Sequence, residues 1–325
     1  MRRAYYRVNS NTITLGVNSV KDVVTWHKII FGDSRNMREV PDSSVHLVVT
    51  SPPYFNAPFD FPGLFKSYDE YLNLIKSVGK ELYRVLQDGR VACFVIQDVR
   101  IKGKLYPIVS DLIHIMVYEV GFNYRDKIIW RKPEGYIRIS RRSGVIIQHP
   151  YPMYYYPDNI YEEVVIFQKG KFNYSKIPNN LKAKSKIDVN RFQSEKWYLS
   201  VWDITNVLPS NRLSKYTAVY PIELVKRLIL LYSYVNEVIL DPFLGTGTTT
   251  VAARMLRRNS IGYEIDLELK PIIEERLGLK ARQLELLLGK SECKVELIIR
   301  DDARRLRTYL REKIEERLRN RHKGR

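Results

Sequence analysis

Two cysteines in 325 residues, Cys93 and Cys293, are too few for a disulfide framework or a cysteine-rich zinc site. Long apolar runs are missing too. No stretch approaches the roughly 20 residues that cross a bilayer, and the opening "MRRAYYRVNSNT" has no apolar core of signal-peptide type. Secreted disulfide scaffolds and membrane spans are thereby excluded, and a cytoplasmic protein is expected. Negative charge is also scarce: 36 Asp and Glu face 54 Lys and Arg, a net +18. The remainder is an ordinary globular complement, 45% hydrophobic and 28% charged, long enough to bury a full core.

The positive charge is uneven. Residues 131–215 hold fifteen Lys and Arg against seven Asp and Glu, and residues 279–325 hold fifteen against eight. Surfaces of that sign suit a polyanion, so nucleic acid is the expected partner. A well-solvated surface with no partner is the plainer alternative.

Strand and helix signals alternate in two stretches. The first contains the strands "HKIIFGDS" and "VHLVVT" and the helix "SYDEYLNLIKSVGKELYRVLQDG". Strand "RVACFVIQDV", helix "LYPIVSDLIHIMVYEVG" and strand "YRDKIIW" follow. In its first helix Tyr71, Leu74, Ile75, Val78, Leu82 and Val85 share a face, Ser67 caps the start and Gly89 marks the stop. The second stretch runs "PIELVKRLILLYSY", "NEVILD", "TTTVAARMLRR", "SIGYEI". Such alternation implies an α/β fold, a mainly parallel sheet with helices on both faces. The chain divides into residues 1–132, an inserted recognition region 133–214 and residues 215–325. Within the insert "YEEVVIFQKGK" is a strand able to rejoin the sheet. After Asp266 a charged helix through 267–289, a strand "KVELIIR" and a basic terminal helix are expected. A faint echo links "KIIFGDSRNM" to "ELIIRDDARRL": strand, acid, helix.

Two motifs carry chemistry. In "TSPPYF" adjacent prolines end a strand, because they cannot donate to a ladder, and they stiffen its tip. Open α/β sheets bind ligands at such carboxyl ends. Ser51 Oγ and the Pro52 carbonyl are acceptors there, and Tyr54 is a ring able to stack on a base. In "DPFLGTGTTT" a strand ends at Asp241, Gly245 and Gly247 form a turn, and a helix begins near Thr248. Glycines let a ligand approach the backbone at a helix N-terminus. Glu264 in "GYEID" follows at a spacing suited to ribose hydroxyls. No Gly-Lys-Ser/Thr ending is present to hold phosphates, so the pocket suits a nucleoside without pyrophosphate. His149 has no neighbouring ligand cluster, and no metal is expected.

Together "TSPPYF", "DPFLGTGTT" and "GYEID" resemble the catalytic, cofactor and ribose motifs of the β-class, permuted, S-adenosylmethionine-dependent DNA amino-methyltransferases. The resemblance covers roughly residues 28–266 and includes "IIWRKP" before the recognition segment and "VWDI" after it. It implies a Rossmann-like class I methyltransferase fold with circularly permuted motif order and an inserted target-recognition region. Catalytic residues would be Ser51, Pro52, Pro53 and Tyr54. Cofactor contacts would come from Asp33, Thr50, Thr217, Tyr220, Asp241, Pro242, Phe243, Gly245, Gly247, Thr248, Glu264 and Ile265, with Asp302 a rival to Asp33. "YTAVYP" departs from the family's usual His-Pro-Ala at Tyr216–Pro221. Arg138, Arg141 and Arg142 in "RISRRSG" would contact nucleic acid.

Serine before Pro-Pro-Tyr resembles the branch that methylates cytosine N4 in DNA at a short site. The alternatives are N4 methylation of structured RNA such as rRNA, N6-adenine methylation of DNA, and a binding module without activity. A cognate restriction endonuclease and a second copy of the chain are the implied protein partners. Carbon-5 methylation is disfavoured, because Cys93 lies in an apolar strand and Cys293 in an expected polar linker.

Overall fold

Runs of β-branched and apolar residues, each closed by an acid, a glycine or a proline, set the strands. The computed structural model describes residues 3–7, 25–57, 64–133, 148–153, 155, 157, 159–207, 220–279, 293–304 and 312. The strands begin with β1 (Arg3–Arg7), β2 (Thr25–Phe31), β3 (Val45–Thr50), β4 (Leu86–Ile96) and a short hairpin, β5 (Val99–Ile101) and β6 (Lys104–Tyr106). Then come β7 (Asn123–Arg131), β8 (Tyr161–Gln168), β9 (Val201–Asp203), β10 (Val238–Asp241), β11 (Asn259–Glu264) and β12 (Cys293–Ile299).

Ten of these, all but the hairpin, form one sheet among the described residues, in the order β1-β12-β2-β11-β10-β3-β4-β8-β7-β9. From β12 through β4 every neighbouring pair is parallel, whereas β8 runs antiparallel between β4 and β7 and β1 antiparallel beside β12. The insert's strand therefore does rejoin the sheet. Period-2 alternation covers both faces. Val48, Ala92 and Phe94 pack toward the helix Tyr68–Val85, and Leu47, Val49, Val91 and Cys93 toward the helix Ile222–Tyr232. No described helix is long and apolar enough to cross a membrane.

Several local expectations are corrected. The first helix starts as expected, with Ser67 Oγ accepting the Glu70 N–H at 3.1 Å, but it ends at Val85. Gly89 lies inside β4 instead, at φ +82°, where a Cβ would stand 2.5 Å from the Phe172 Cα. The next helix is α-helical only over Ile108–His114, becomes π-helical over Ile115–Val120 and stops at left-handed Gly121. The charged stretch after Asp266 is a 3₁₀ turn, Leu267–Leu269, then a short helix, Lys270–Arg276. Residues 280–292 and most of the basic terminal segment lie outside the described residues. Cys293 is not in a linker: it opens β12 and is buried. Cys93 is buried in β4, which pushes its thiol well up from the ordinary range.

Candidate active site

The parallel strands bring their carboxyl ends to one edge, and the motif residues meet there. Strand β3 lies beside β10, with Leu240 opposite Val48, and β11 joins β10 with Gly262 opposite Asp241. Beyond β11, Glu264 pairs with Phe31 of β2. The Ser-Pro-Pro-Tyr tip, the glycine turn, Glu264 and Asp33 are thus at one edge through strand order alone.

Asp241 is fully buried, and its carboxylate is held by four donors. Thr50 Oγ1 donates to Oδ1 at 2.7 Å, the Phe243 N–H reaches Oδ1 at 3.1 Å, and Thr249 Oγ1 and Tyr220 Oη lie 2.7 and 2.9 Å from Oδ2. Burial pushes the Asp241 carboxyl up while these donors oppose the shift. It also pushes the Tyr220 hydroxyl well above its usual range, helped by the Asp241 charge. Thr50, Tyr220 and Asp241 therefore spend their side chains on one another and fix the β3 tip against the β10 tip. Thr249, which carries the same network, was not singled out; its place as the second threonine of "TTT", at the start of the helix that follows the Asp241 strand, is the signal that could have found it.

The turn itself is built from left-handed residues, Gly245 at φ +55° and Gly247 at φ +85°. It closes through Gly247 N–H to Leu244 O at 3.0 Å and is tied to β11 by Leu244 N–H to Tyr263 O at 2.8 Å. The helix Thr248–Met255 begins immediately after. Pro242 and Thr248 are buried, Phe243 and Ile265 half-buried. Arg276 holds the turn from behind, its Nη1 donating to Thr246 O and Thr248 Oγ1 at 3.0 Å each.

Glu264 is 7% exposed and accepts three backbone N–H groups. Gly245 reaches Oε2 at 2.7 Å, and Ile265 and Asp266 reach Oε1 at 2.8 Å each. Burial pushes its carboxyl up to about 8 against the pull of those donors. A carboxylate offers about four lone-pair sites, so one stays open to a hydroxyl.

The echo noted in the sequence is realised as neighbouring parallel strands, β2 and β12, with Phe31 opposite Ile299. Asp33 and Asp302 sit side by side, the Asp33 N–H donating to Asp302 Oδ2 at 3.2 Å. Arg35 occupies the Asp33 carboxylate, and buried Arg300 occupies that of Asp302 while also donating to Asn36 O at 2.7 Å. The two rivals form one acidic corner.

At the β3 tip Ser51 and Pro53 are half-buried and Pro52 is buried. Tyr54 is only 2% exposed, and its hydroxyl donates to Glu162 Oε2 at 2.7 Å. Lys132 donates to Glu162 Oε1 at 2.6 Å and stands 5.0 Å from the Trp130 ring. Glu162 and Lys132 were not read as site residues. The signal was a carboxylate doublet, "YEE", opening an otherwise apolar strand. Thr217, Arg138, Arg141 and Arg142 lie outside the described residues.

The cofactor implied by the resemblance is a nucleoside carrying a sulfonium and no phosphate. The donor set fits it. Carboxylates of Glu264, Asp33 and Asp302 stand at three adjacent strand ends, and the cation behind the turn, Arg276, is committed to threonines.

Comparison with known proteins places this arrangement. Residues 45–275 match the family model described as DNA methylase, of the N6/N4 type. The Type II methyltransferase M.MjaI of Methanocaldococcus jannaschii is 36% identical over 301 residues, 81% of this chain and 95% of that one. The Type II methyltransferase M.MthZI of Methanothermobacter thermautotrophicus is 32% identical over 278 residues, 78% of this chain and 77% of that one. Among solved structures, TTHA0409 of Thermus thermophilus, described as a DNA modification methylase and complexed with S-adenosyl-L-methionine, superposes with a TM-score of 0.63. It is 26% identical, over 83% of this chain and 99% of that one. The PvuII cytosine-N4-specific DNA methyltransferase shares the fold, with a TM-score of 0.60 at 19% identity over 86% of this chain and 99% of that one.

Proposed function

The chain belongs to the N6/N4 DNA methylase family, with S-adenosylmethionine as its cofactor, and on that premise we propose that it methylates the exocyclic N4 amine of cytosine in DNA. The observation that carries the reading is Ser51-Pro52-Pro53-Tyr54 at the tip of β3, locked by Thr50 to Asp241 beside the glycine turn. Among the described residues the Ser51 hydroxyl has no hydrogen-bond partner. Serine in place of aspartate before the prolines favours cytosine over adenine. The order of the motifs, Ser-Pro-Pro-Tyr before the glycine turn, supports the permuted β class, and the Type II naming of the relatives supports a partner restriction endonuclease with the same target.

S-adenosylmethionine, when bound, supplies an electrophilic methyl group. The chain's own part is positioning. An exocyclic amine is a poor nucleophile because its lone pair is delocalised into the ring. Ser51 Oγ and the Pro52 carbonyl accept the two amine hydrogens and favour the pyramidal geometry that frees the lone pair. The prolines place no competing N–H donor there. A base inside a duplex cannot reach this edge, so it must leave the stack. Tyr54 supplies the ring that receives it. Because that ring is covered here, base entry has to uncover it.

The test is mass spectrometry of nucleosides from DNA and RNA incubated with the protein and labelled cofactor. Labelled N4-methylcytosine in DNA is expected. Label confined to N6-methyladenine overturns the cytosine assignment.

A further inference from the structure

At the amino ends of the parallel strands, away from the methyl-transfer edge, lies a cavity of about 430 Å³. That is within the range of ligand sites, roughly 300–1,000 Å³. Its floor is Arg90 and Val91 of β4, and one wall is the Leu230–Tyr234 end of the helix Ile222–Tyr232 and the turn after it. The other wall is the segment from Phe172 to Val189, which follows β8 out of the sheet. That segment is fixed rather than draped. The Val235 N–H donates to Ser185 Oγ at 2.8 Å, and Arg191 donates to Glu223 at 2.8 Å. Val91 pairs with Leu47, four residues before Ser51, so roughly 13 Å of strand separates this floor from the Ser51 tip.

Four cations line the cavity and, among the described residues, no carboxylate does. Arg90 is buried and neutralised by Glu237. The other three have no ion-pair partner among the described residues. Arg125 stands 5.5 Å from the Tyr232 ring and Lys182 4.0 Å from the Tyr174 ring, while Lys186 is exposed at the wall. A cation resting on an aromatic face is oriented but keeps its full charge. Phe172 and Tyr234 hold Arg90 in the same way from 5.2 and 5.8 Å. Cations alternating with rings around a concave space is the composition that binds phosphates next to bases.

We propose that this cavity is a second anion site, which takes a nucleotide unit, phosphate with its base, on the sheet edge opposite the methyl-transfer site. The unit comes either from a free nucleotide or from a nucleic-acid strand, and the assignment stands apart from which base is methylated. Acylation footprinting of the full-length protein separates the sources, with three probes: ATP, a non-specific single-stranded 12-mer, and poly-glutamate of similar charge. Reactivity of Lys182 and Lys186 should fall several-fold with ATP if the source is a free nucleotide, or with the 12-mer if it is a strand. S-adenosylhomocysteine, bound at the other edge, should leave both lysines unchanged.

The variant Arg125→Ala/Lys182→Ala/Lys186→Ala removes surface charges without touching the core. It should bind the protecting probe more weakly. For the 12-mer its log–log salt slope should be shallower by about 2, at roughly 0.7 per lost contact on a single strand. S-adenosylhomocysteine affinity should match wild type, which reports that the fold is intact. No protection by either nucleotide probe, an unchanged affinity of the variant for the protecting probe (with an unchanged slope where that probe is the 12-mer), or equal protection by poly-glutamate overturns the proposal.

Discussion

Tyr54 and Glu162 are 108 positions apart in the chain, and one hydrogen bond of 2.7 Å joins them across the mouth of the active site. Glu162 is held on its other oxygen by half-buried Lys132, so the Tyr54 loop is anchored to β8 through a charged pair. Tyr54→Phe keeps the ring and removes this bond. It should cost about 1–3 kcal/mol in urea unfolding and reduce kcat/KM less than Tyr54→Ala, which also removes the stacking surface. A Phe variant as damaged in turnover as the Ala variant would show that the ring does not receive the base.

Ser51→Ala should lower kcat with cofactor affinity unchanged. On the proposed reading Ser51 meets the amine, while the glycine turn and Glu264 hold the cofactor. One lost neutral hydrogen bond of roughly 1–3 kcal/mol corresponds to about 5- to 150-fold in rate. Single-turnover kinetics beside cofactor calorimetry separate the two quantities, and an unaltered kcat in a folded variant would remove Ser51 from the mechanism.

Asp241→Ala should be among the more destabilising single changes. It leaves the hydroxyls of Thr50, Tyr220 and Thr249 facing an empty buried space between β3 and β10. The expected cost is about 2–4 kcal/mol, from unsatisfied buried groups at roughly 1–3 each, partly relieved by mutual pairing. Asp241→Asn, which keeps an acceptor and the shape, should recover part of it in the same urea titration.

Much of this architecture was legible because each parallel strand is a short apolar run closed by a residue that cannot continue it. Pro52 closes β3 and the Asp241–Pro242 pair closes β10. Strand order then gathers the motifs at one edge. What escaped depends on contacts between distant segments. Gly89 looks like a helix stop, yet it sits in β4, where the absence of a Cβ makes room for the Phe172 backbone. The Glu162–Lys132 pair becomes visible only when β8 lies next to β4 and β7. The mutual bonding of Thr50, Tyr220 and Asp241 likewise shows only in the fold, because a carboxylate buried at a strand tip needs donors from other segments.

Gly262→Ala should weaken cofactor binding without touching the site directly. Gly262 lies opposite Asp241 in β11, and a Cβ there would stand 2.7 Å from Leu244 Cδ2. Leu244 starts the glycine turn, so its displacement moves Gly245 and the N–H that bonds to Glu264. Overpacking of this kind typically costs about 1–3 kcal/mol. Gly247→Ala meets nothing nearer than Ile273 at 3.9 Å, so its cost comes from the φ of +85°. If calorimetry finds normal cofactor affinity in Gly262→Ala, the turn is not positioned through Leu244.

As the proposed ribose contact, Glu264 should give the cofactor site a pH dependence whose sign follows from its burial. Its folded carboxyl is raised to about 8 from an ordinary 4.5. For an acid shifted upward, the folded state holds the proton more tightly than the unfolded state. Its contribution to stability is therefore full below about 4.5 and is lost as pH rises through 8. Cofactor binding has the opposite preference. A ribose hydroxyl and a sulfonium both favour the ionised carboxylate, which alone keeps a spare acceptor beside the three N–H groups. Affinity for S-adenosylmethionine should fall as pH is lowered from 9 toward 6, by at most about tenfold per unit below 8. Binding at pH 7 should release a proton, measurable as a dependence of the calorimetric enthalpy on buffer ionisation. Glu264→Gln should bind more weakly at pH 9 and lose the slope, because its amide carries no titrating proton and turns a donor toward the Gly245 N–H. A flat profile for the wild-type protein between pH 6 and 9 would show that the carboxylate is ionised throughout, held so by its three backbone donors.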